Sequence, residues 1–172
     1  MNRVRKMVML ALIISQALVL HLIEGFIPVV APGIKLGLAN IMTLVTLVLY
    51  GFKEALMVVV VRSVLGSLLS GSVTAMLYSL AGGILSCLAM GWLYFRWRAY
   101  FSIIGISTAG AIFHNIGQLL VASWVFGTIG ILFTYLPMLT VAAAGTGFFV
   151  GLTSGYIIKY LREQKWFKWE RG

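Results

Sequence analysis

One arginine lies inside a long apolar stretch of this sequence. Arg62 follows four consecutive valines and is about eight residues into a predicted helix, roughly 12 Å from its start. A guanidinium near the middle of a membrane costs on the order of 2.5–3.5 kcal/mol even on the lenient insertion scale, so it must face a bundle interior or a wet cavity. Two roles are open for it: a structural ion pair, with Glu24 the obvious partner, or the binding of an anion in a pocket.

A second group of polar side chains interrupts another apolar stretch. His114 and Gln118 are four residues apart and Asn115 and Gln118 are three apart, so one face of a helix is expected to display all three. They could form hydrogen bonds between helices or bind a ligand. His21 and Glu24 form a similar pair in the first apolar run. Neither histidine has the spacing to another ligand that specifies a metal, so no metal site is predicted.

The elements that must position these groups are membrane helices. Of the 172 residues 61% are hydrophobic and 10% are charged, and the mean hydropathy is +1.03. A soluble domain averages roughly a quarter charged residues, so lipid is the expected solvent here. The apolar runs are long and do not alternate, which excludes a transmembrane β-barrel. We predict one integral, all-α membrane domain over residues 1–172.

Six transmembrane helices are predicted. The first is interpreted as retained and not as a signal peptide, because no clean small-residue cleavage site follows it. Pro28 and Pro32 break the chain after this helix. The predicted bounds are about 7–26, 36–50, 54–70, 73–94, 102–126 and 132–160.

The basic residues predict how the bundle is oriented. All but two of the 13 lysines and arginines fall in the termini and loops of one side, the exceptions being Lys35 and Arg62. The positive-inside rule places that side in the cytoplasm, so both termini are expected there, in the plasma (inner) membrane. Because the basic residues do not form a stripe on one element, the net charge of +9 does not indicate nucleic-acid binding.

The same topology predicts where a pocket would open. Glu24, Lys35, Asn40 and the polar residues of the fifth helix all fall in the outer half, whereas the inner half is nearly all apolar. This distribution favours a pocket that opens outward over a continuous pore, which would need polar residues along its whole length.

Small residues recur every four positions in several helices. Helix four has Ala75, Ser79, Gly83, Cys87 and Gly91, and helix six has Ala143, Gly147, Gly151 and Gly155. Such stripes let helix backbones approach closely in lipid. They could pack helices of this chain together or form a docking face for another membrane subunit. A shorter stripe in helix one, Ala11 and Ser15, fits either interpretation.

Three segments resemble a known family. Residues 32–40 read PGIKLGLAN, residues 51–55 read GFKEA, and residues 62–71 read RSVLGSLLSG. Together they resemble the Gx transporter family, also catalogued as heptaprenyl diphosphate synthase component I. The resemblance covers nearly the whole chain and is strongest over residues 11–83.

The family is in turn similar to the substrate-binding S components of energy-coupling factor (ECF) vitamin transporters. This resemblance implies a six-helix protein that captures a small molecule from outside. It also implies a transmembrane T component and cytoplasmic ATPase subunits as partners. S components often present small residues of helix one to the T component, so Ala11 and Ser15 are the expected partner-docking residues.

The synthase description implies a different role. Prenyl diphosphate synthases of the common helical type hold Mg²⁺ and diphosphate with Asp-rich motifs, because carboxylates are the natural ligands of that cation. This chain has no aspartate, and its four acids, Glu24, Glu54, Glu163 and Glu170, form no acidic pair. It also has no Gly-Lys-Ser/Thr loop for nucleotide phosphates. We therefore predict that the chain is not an enzyme and carries no cofactor.

The function we expect is that of an S-component-like subunit. It would capture a small, partly anionic solute from the outer face, such as a vitamin, a cofactor or an isoprenoid- or quinone-related precursor. The predicted substrate-binding residues are Arg62, Lys35, Asn40, His114, Asn115, Gln118 and Glu24. The alternatives are a non-catalytic membrane accessory subunit of a heptaprenyl diphosphate synthase and a purely structural membrane anchor.

Overall fold

The computed structural model describes residues 3–26 and 37–164, and in these ranges it contains six helices and no strand. The predicted all-helical class is therefore confirmed. The helices are α1 (Arg3–Gly25), α2 (Asn40–Leu49), α3 (Phe52–Ser70), α4 (Val73–Arg96), α5 (Ile103–Val125) and α6 (Gly130–Glu163).

Four of these helices, α1, α4, α5 and α6, are long and apolar enough to cross a membrane. Helix α3 has 19 residues but includes three charged ones, Lys53, Glu54 and Arg62. Helix α2 has only 10 residues and begins at Asn40, not near residue 36 as predicted. At 1.5 Å per residue it is about 15 Å long, half the thickness of a bilayer core. The described helices therefore support a membrane protein without establishing six full spans.

Helix α2 is the centre of the bundle. All ten of its residues are buried, and it contacts each of the other five helices. A helix that is apolar on every side belongs in a core, since no face of it suits water. The largest core cluster forms around Leu44, Leu47 and Leu49 of this helix and includes Met90 of α4 and Ile106 of α5.

Glycines bring α4, α5 and α6 into close contact. A Cβ atom at Gly117 would lie 2.6 Å from the carbonyl oxygen of Ala81 in α4. Those at Gly147 and Gly151 would lie 2.5 and 2.6 Å from α5 backbone atoms. Gly91 packs against the aromatic side chain of Phe52 in α3. The stripes of α4 and α6 therefore pack helices of this chain together at these positions.

The stripe of α1 and the last member of the α6 stripe behave differently. Nothing lies within 4 Å of a Cβ atom placed at Gly155. Ala11 and Ser15 are exposed, and the Ser15 hydroxyl donates a hydrogen bond to the carbonyl oxygen of Ala11. These two residues are therefore on the outer surface of the bundle, and their contact with a partner stays a prediction.

One end of the bundle gathers basic residues. Lys6 at the start of α1 forms an ion pair with Glu54 at the start of α3. Arg98 lies over the ring of Tyr94, near the end of α4, with its guanidinium carbon 5.0 Å from the ring centroid. Arg162 is in the last turn of α6, and its neighbour Leu161 packs against the largest core cluster. Among the described residues, the basic ends of α1, α4 and α6 are thus at the same end of the bundle as the start of α3.

Candidate functional site

Five of the seven predicted substrate-binding residues are buried together in the half of the bundle away from the basic end. We call them the polar cluster: Glu24, Asn40, Arg62, His114 and Gln118. Each is at most 3% exposed. They come from α1, α2, α3 and α5, so residues up to 94 positions apart in the chain converge at one place.

Glu24 fixes the position of the chain that leads into α2. Its carboxylate Oε1 accepts hydrogen bonds from the backbone N–H groups of Gly37 and Leu38, the latter at 3.2 Å. Gly37 has a φ of +83°, a left-handed conformation that favours glycine. A Cβ atom there would also lie 3.0 Å from the amide nitrogen of Asn40. Glu24 thereby helps to place Asn40 in the cluster.

Arg62 is hydrogen bonded to a neutral group. Its Nη2 donates to the Asn40 side-chain oxygen at 3.2 Å, whereas its Nε is buried without a hydrogen-bond partner. A guanidinium has five N–H donors, and a buried donor left unmatched costs about 1–3 kcal/mol, more for a charged group. The arginine therefore has capacity for a further acceptor.

The predicted ion pair between Glu24 and Arg62 does not form directly. The carboxylate acts on the guanidinium electrostatically. Within residues 3–26 and 37–164, however, Lys6 and Glu54 are the pair whose charged nitrogen and oxygen lie within 4.0 Å of each other, and Arg62 and Glu24 are not. The Glu24 carboxylate is instead directed to the backbone at the start of α2, which leaves Asn40 as the direct partner of Arg62.

His114 and Gln118 complete the polar cluster. Two adjacent glycines of α4 leave room for its side chains. A Cβ atom at Gly82 would lie 3.0 Å from both Gln118 Cγ and His114 Cε1. At Gly83 it would lie 3.1 Å from Arg62 Nη2. The small-residue stripe of α4 marks Gly83 only as a packing residue, and Gly82 lies outside that stripe. Both glycines could have been noticed in the sequence, because glycine within a helix costs about 1 kcal/mol of stability relative to alanine and therefore needs a structural role.

Asn115 faces a different helix. Its side-chain nitrogen donates a hydrogen bond to the carbonyl oxygen of Leu139 in α6, at 2.9 Å. One residue along a helix turns by about 100°, so His114 and Gln118 can face α4 while Asn115 faces α6. The expectation that one face displays all three is therefore wrong for Asn115, which has the interhelical role.

Two further predicted features bear on the site. His21 is buried against α3, where a Cβ atom at Gly66 would lie 2.4 Å from its Cδ2. Lys35 lies outside the described residues, so its part in a pocket, and the outward opening of that pocket, stay predictions. Within the described ranges no group of three His, Cys, Asp or Glu residues could hold a metal ion.

Comparison with known families gives one match. The model of the family described as heptaprenyl diphosphate synthase component I matches residues 13–157, which is most of the chain. No curated protein and no solved structure matches the chain.

Proposed function

The chain belongs to the heptaprenyl diphosphate synthase component I family, and from this premise and the buried polar cluster we propose that it is a membrane subunit that binds a small anionic solute at Arg62. In this proposal the chain is the substrate-binding component of an ECF-type transporter. The solute enters from the side of the membrane opposite the basic end of the bundle, which is cytoplasmic by the positive-inside rule.

The observation that carries the proposal is the incomplete pairing of Arg62. Its guanidinium is buried, its Nε has no hydrogen-bond partner, and the contact at Nη2 is to a neutral amide. A buried charge is stable only when it is paired and hydrogen bonded. An anionic group of a solute would supply the missing acceptor and a direct counter-charge, whereas Glu24 acts on the guanidinium without a direct ion pair.

The neighbours of Arg62 suit the rest of such a solute. The amides of Asn40 and Gln118 and the imidazole of His114 can donate or accept hydrogen bonds. Glu24 acts through the backbone of Gly37 and Leu38, as a positioning residue. Since the sequence has no phosphate-binding loop, ATP hydrolysis would belong to separate ATPase subunits, joined through a T component.

A second candidate function is favoured by the family match. The family's description implies a partner synthase component, and this chain would then be its non-catalytic membrane subunit. The absence of aspartate agrees with that role, because the Mg²⁺ and diphosphate chemistry would be carried by the partner. This candidate requires no solute at Arg62.

Native mass spectrometry of the protein purified from its host membranes distinguishes the two. We expect the wild-type protein to retain a small anionic molecule and Arg62→Gln to lose it while still folding. Asn115→Ala is the matched control, because it removes a buried hydrogen bond outside the polar cluster. A wild-type protein that carries no small molecule and co-purifies with a soluble prenyl synthase would contradict the transporter proposal and support the accessory subunit.

A further inference from the structure

A cavity lies at the basic end of the bundle, and no residue of the polar cluster lines it. Its volume is about 590 Å³, within the usual range of ligand sites. It lies where α2 ends, α3 begins and α4 ends. The residues that give it chemical character are Tyr50, Gly51, Tyr94, Phe95 and Arg98, and two aliphatic residues of α2 complete the lining.

Arg98 is the charged residue among those that line this cavity. Arg98 is held over the Tyr94 ring, 5.0 Å from its centroid, by a cation–π contact. Within the part of the chain that the structure describes, no carboxylate lies within 4.0 Å of this arginine. Arg5 of α1 also acts electrostatically on Tyr50. Glu54 is also at this end: its Oε1 is paired with Lys6, and its Oε2 lies 3.6 Å from where a Cβ atom of Gly51 would be.

The start of α3 adds to this field. Gly51 is its N-cap residue, with a φ of +105°, and offers no side-chain acceptor to the N–H groups of the first turn. The first N–H groups of a helix have no backbone partner within it and carry the positive end of the helix dipole, and Glu54 in this first turn accepts a hydrogen bond from its own backbone N–H. Arg98 and Gly51, at the positive end of the α3 dipole, therefore line the same cavity.

The cavity is also continuous with the lipid-facing surface. Phe95, which lines it, is 61% exposed, and Trp92, one turn earlier on α4, is 64% exposed. Trp97 and Tyr100 follow in the next loop, with their ring centroids 5.8 Å apart. Aromatic residues concentrate at the depth of lipid headgroups, so the cavity opens where headgroups and the first acyl carbons lie.

We propose that this cavity binds the phosphate-bearing headgroup of an anionic phospholipid, with Arg98 as its counter-ion and Phe95 against its acyl chain. Basic pockets between transmembrane helices are the expected sites for such headgroups. This site is separate from the polar cluster and does not depend on what Arg62 binds.

The test uses the full chain in vesicles of phosphatidylcholine with and without phosphatidylglycerol, followed by native mass spectrometry of the extracted protein. We expect phosphatidylglycerol to be retained in preference to phosphatidylcholine. Arg98→Gln should reduce that retention about fivefold, the effect of one cation near a membrane surface. Arg96→Gln is the matched control, because Arg96 is two residues away, stacks on Trp97 and does not line the cavity.

Three results would overturn the proposal. Equal losses in the Arg96 and Arg98 variants would show only general attraction to a charged surface. Equal retention of the two lipids by the wild-type protein would show that there is no headgroup site. Inorganic phosphate that binds the protein in pure phosphatidylcholine vesicles, and that displaces phosphatidylglycerol from the protein in the mixed vesicles, would assign the cavity to a soluble phosphate. Circular dichroism of both variants confirms that they are folded.

Discussion

Glu24 at the end of α1 accepts a hydrogen bond from the backbone N–H of Gly37, thirteen residues later in the chain. A charged acceptor makes this bond stronger than a neutral one, and a second bond from Leu38 shares the same oxygen. The acid that seemed from the sequence to be a partner for Arg62 therefore organises the backbone that carries Asn40 to Arg62.

Glu24→Ala is expected to destabilise the protein by about 1.5–3 kcal/mol, because it removes a charged acceptor from two backbone donors. Glu24→Gln should lose less, since its amide oxygen can still accept. The thermal unfolding midpoint in detergent measures both effects. Glu54→Gln is the control, because the partly exposed pair with Lys6 contributes only about 0–1 kcal/mol. An equal loss in Glu24→Ala and Glu54→Gln would refute this role for Glu24.

Asn40→Asp is expected to place a carboxylate beside Arg62 and so occupy the guanidinium permanently. The ligand-free protein should then unfold at a higher temperature than the wild type. Binding of an anionic solute should weaken by at least about tenfold, because like charges brought together cost several kcal/mol. Asn40→Leu, which only removes the oxygen at 3.2 Å, should lower the unfolding temperature. If Asn40→Asp also lowers it, the guanidinium is already compensated and the proposed anion site is wrong.

Gly82→Ala and Gly117→Ala are expected to destabilise the contact between α4 and α5. Their Cβ atoms would lie 2.9 Å and 2.6 Å from backbone oxygens of the facing helix, His114 and Ala81, which cannot move aside easily. Overpacking of this kind costs typically 1–3 kcal/mol. Gly145→Ala, with nothing within 4 Å of its Cβ atom, should be neutral or stabilising. Equilibrium unfolding of the three variants ranks them, and a neutral Gly117→Ala would contradict the observed helix contact.

Labelling of introduced cysteines tests the orientation of the bundle. Ala99 is exposed at the basic end and Thr128 is exposed in the connection between α5 and α6. We expect a membrane-impermeant maleimide added to intact cells to label Thr128→Cys and not Ala99→Cys. The native Cys87 is fully buried and should stay unlabelled, which provides the background. The reverse pattern would place the basic end outside and invert the proposed direction of solute entry.

The composition of the polar cluster was predictable, whereas its internal contacts were not. Polar groups in apolar helices are expected to lie together because lipid offers them no partner. Arg62, His114 and Gln118 can therefore be chosen from the sequence alone. The role of Glu24 depends on a bond to the backbone of residues 37 and 38, which periodicity does not encode. The rotation of α5, which turns Asn115 toward α6, is set by close backbone contacts at its glycines.

The start of α2 is another feature that the sequence pattern did not predict. The apolar run from residue 36 reads as helix throughout, but the structure begins the helix at Asn40. The left-handed Gly37 and the Glu24 carboxylate hold the preceding backbone in another conformation. A contact from a different helix thus overrides local helix preference.

The position of α2 also constrains biosynthesis. This helix is too short to cross a bilayer unaided. Helix α6 is one of the helices that enclose it, and the Ser154 hydroxyl of α6 donates a hydrogen bond to the carbonyl oxygen of Ile41 at 3.4 Å. The ribosome therefore releases α2 long before the last helix that encloses it has been made. Until translation reaches residue 154, α2 must remain incompletely enclosed, so the core around this helix is completed only after α6 has been made.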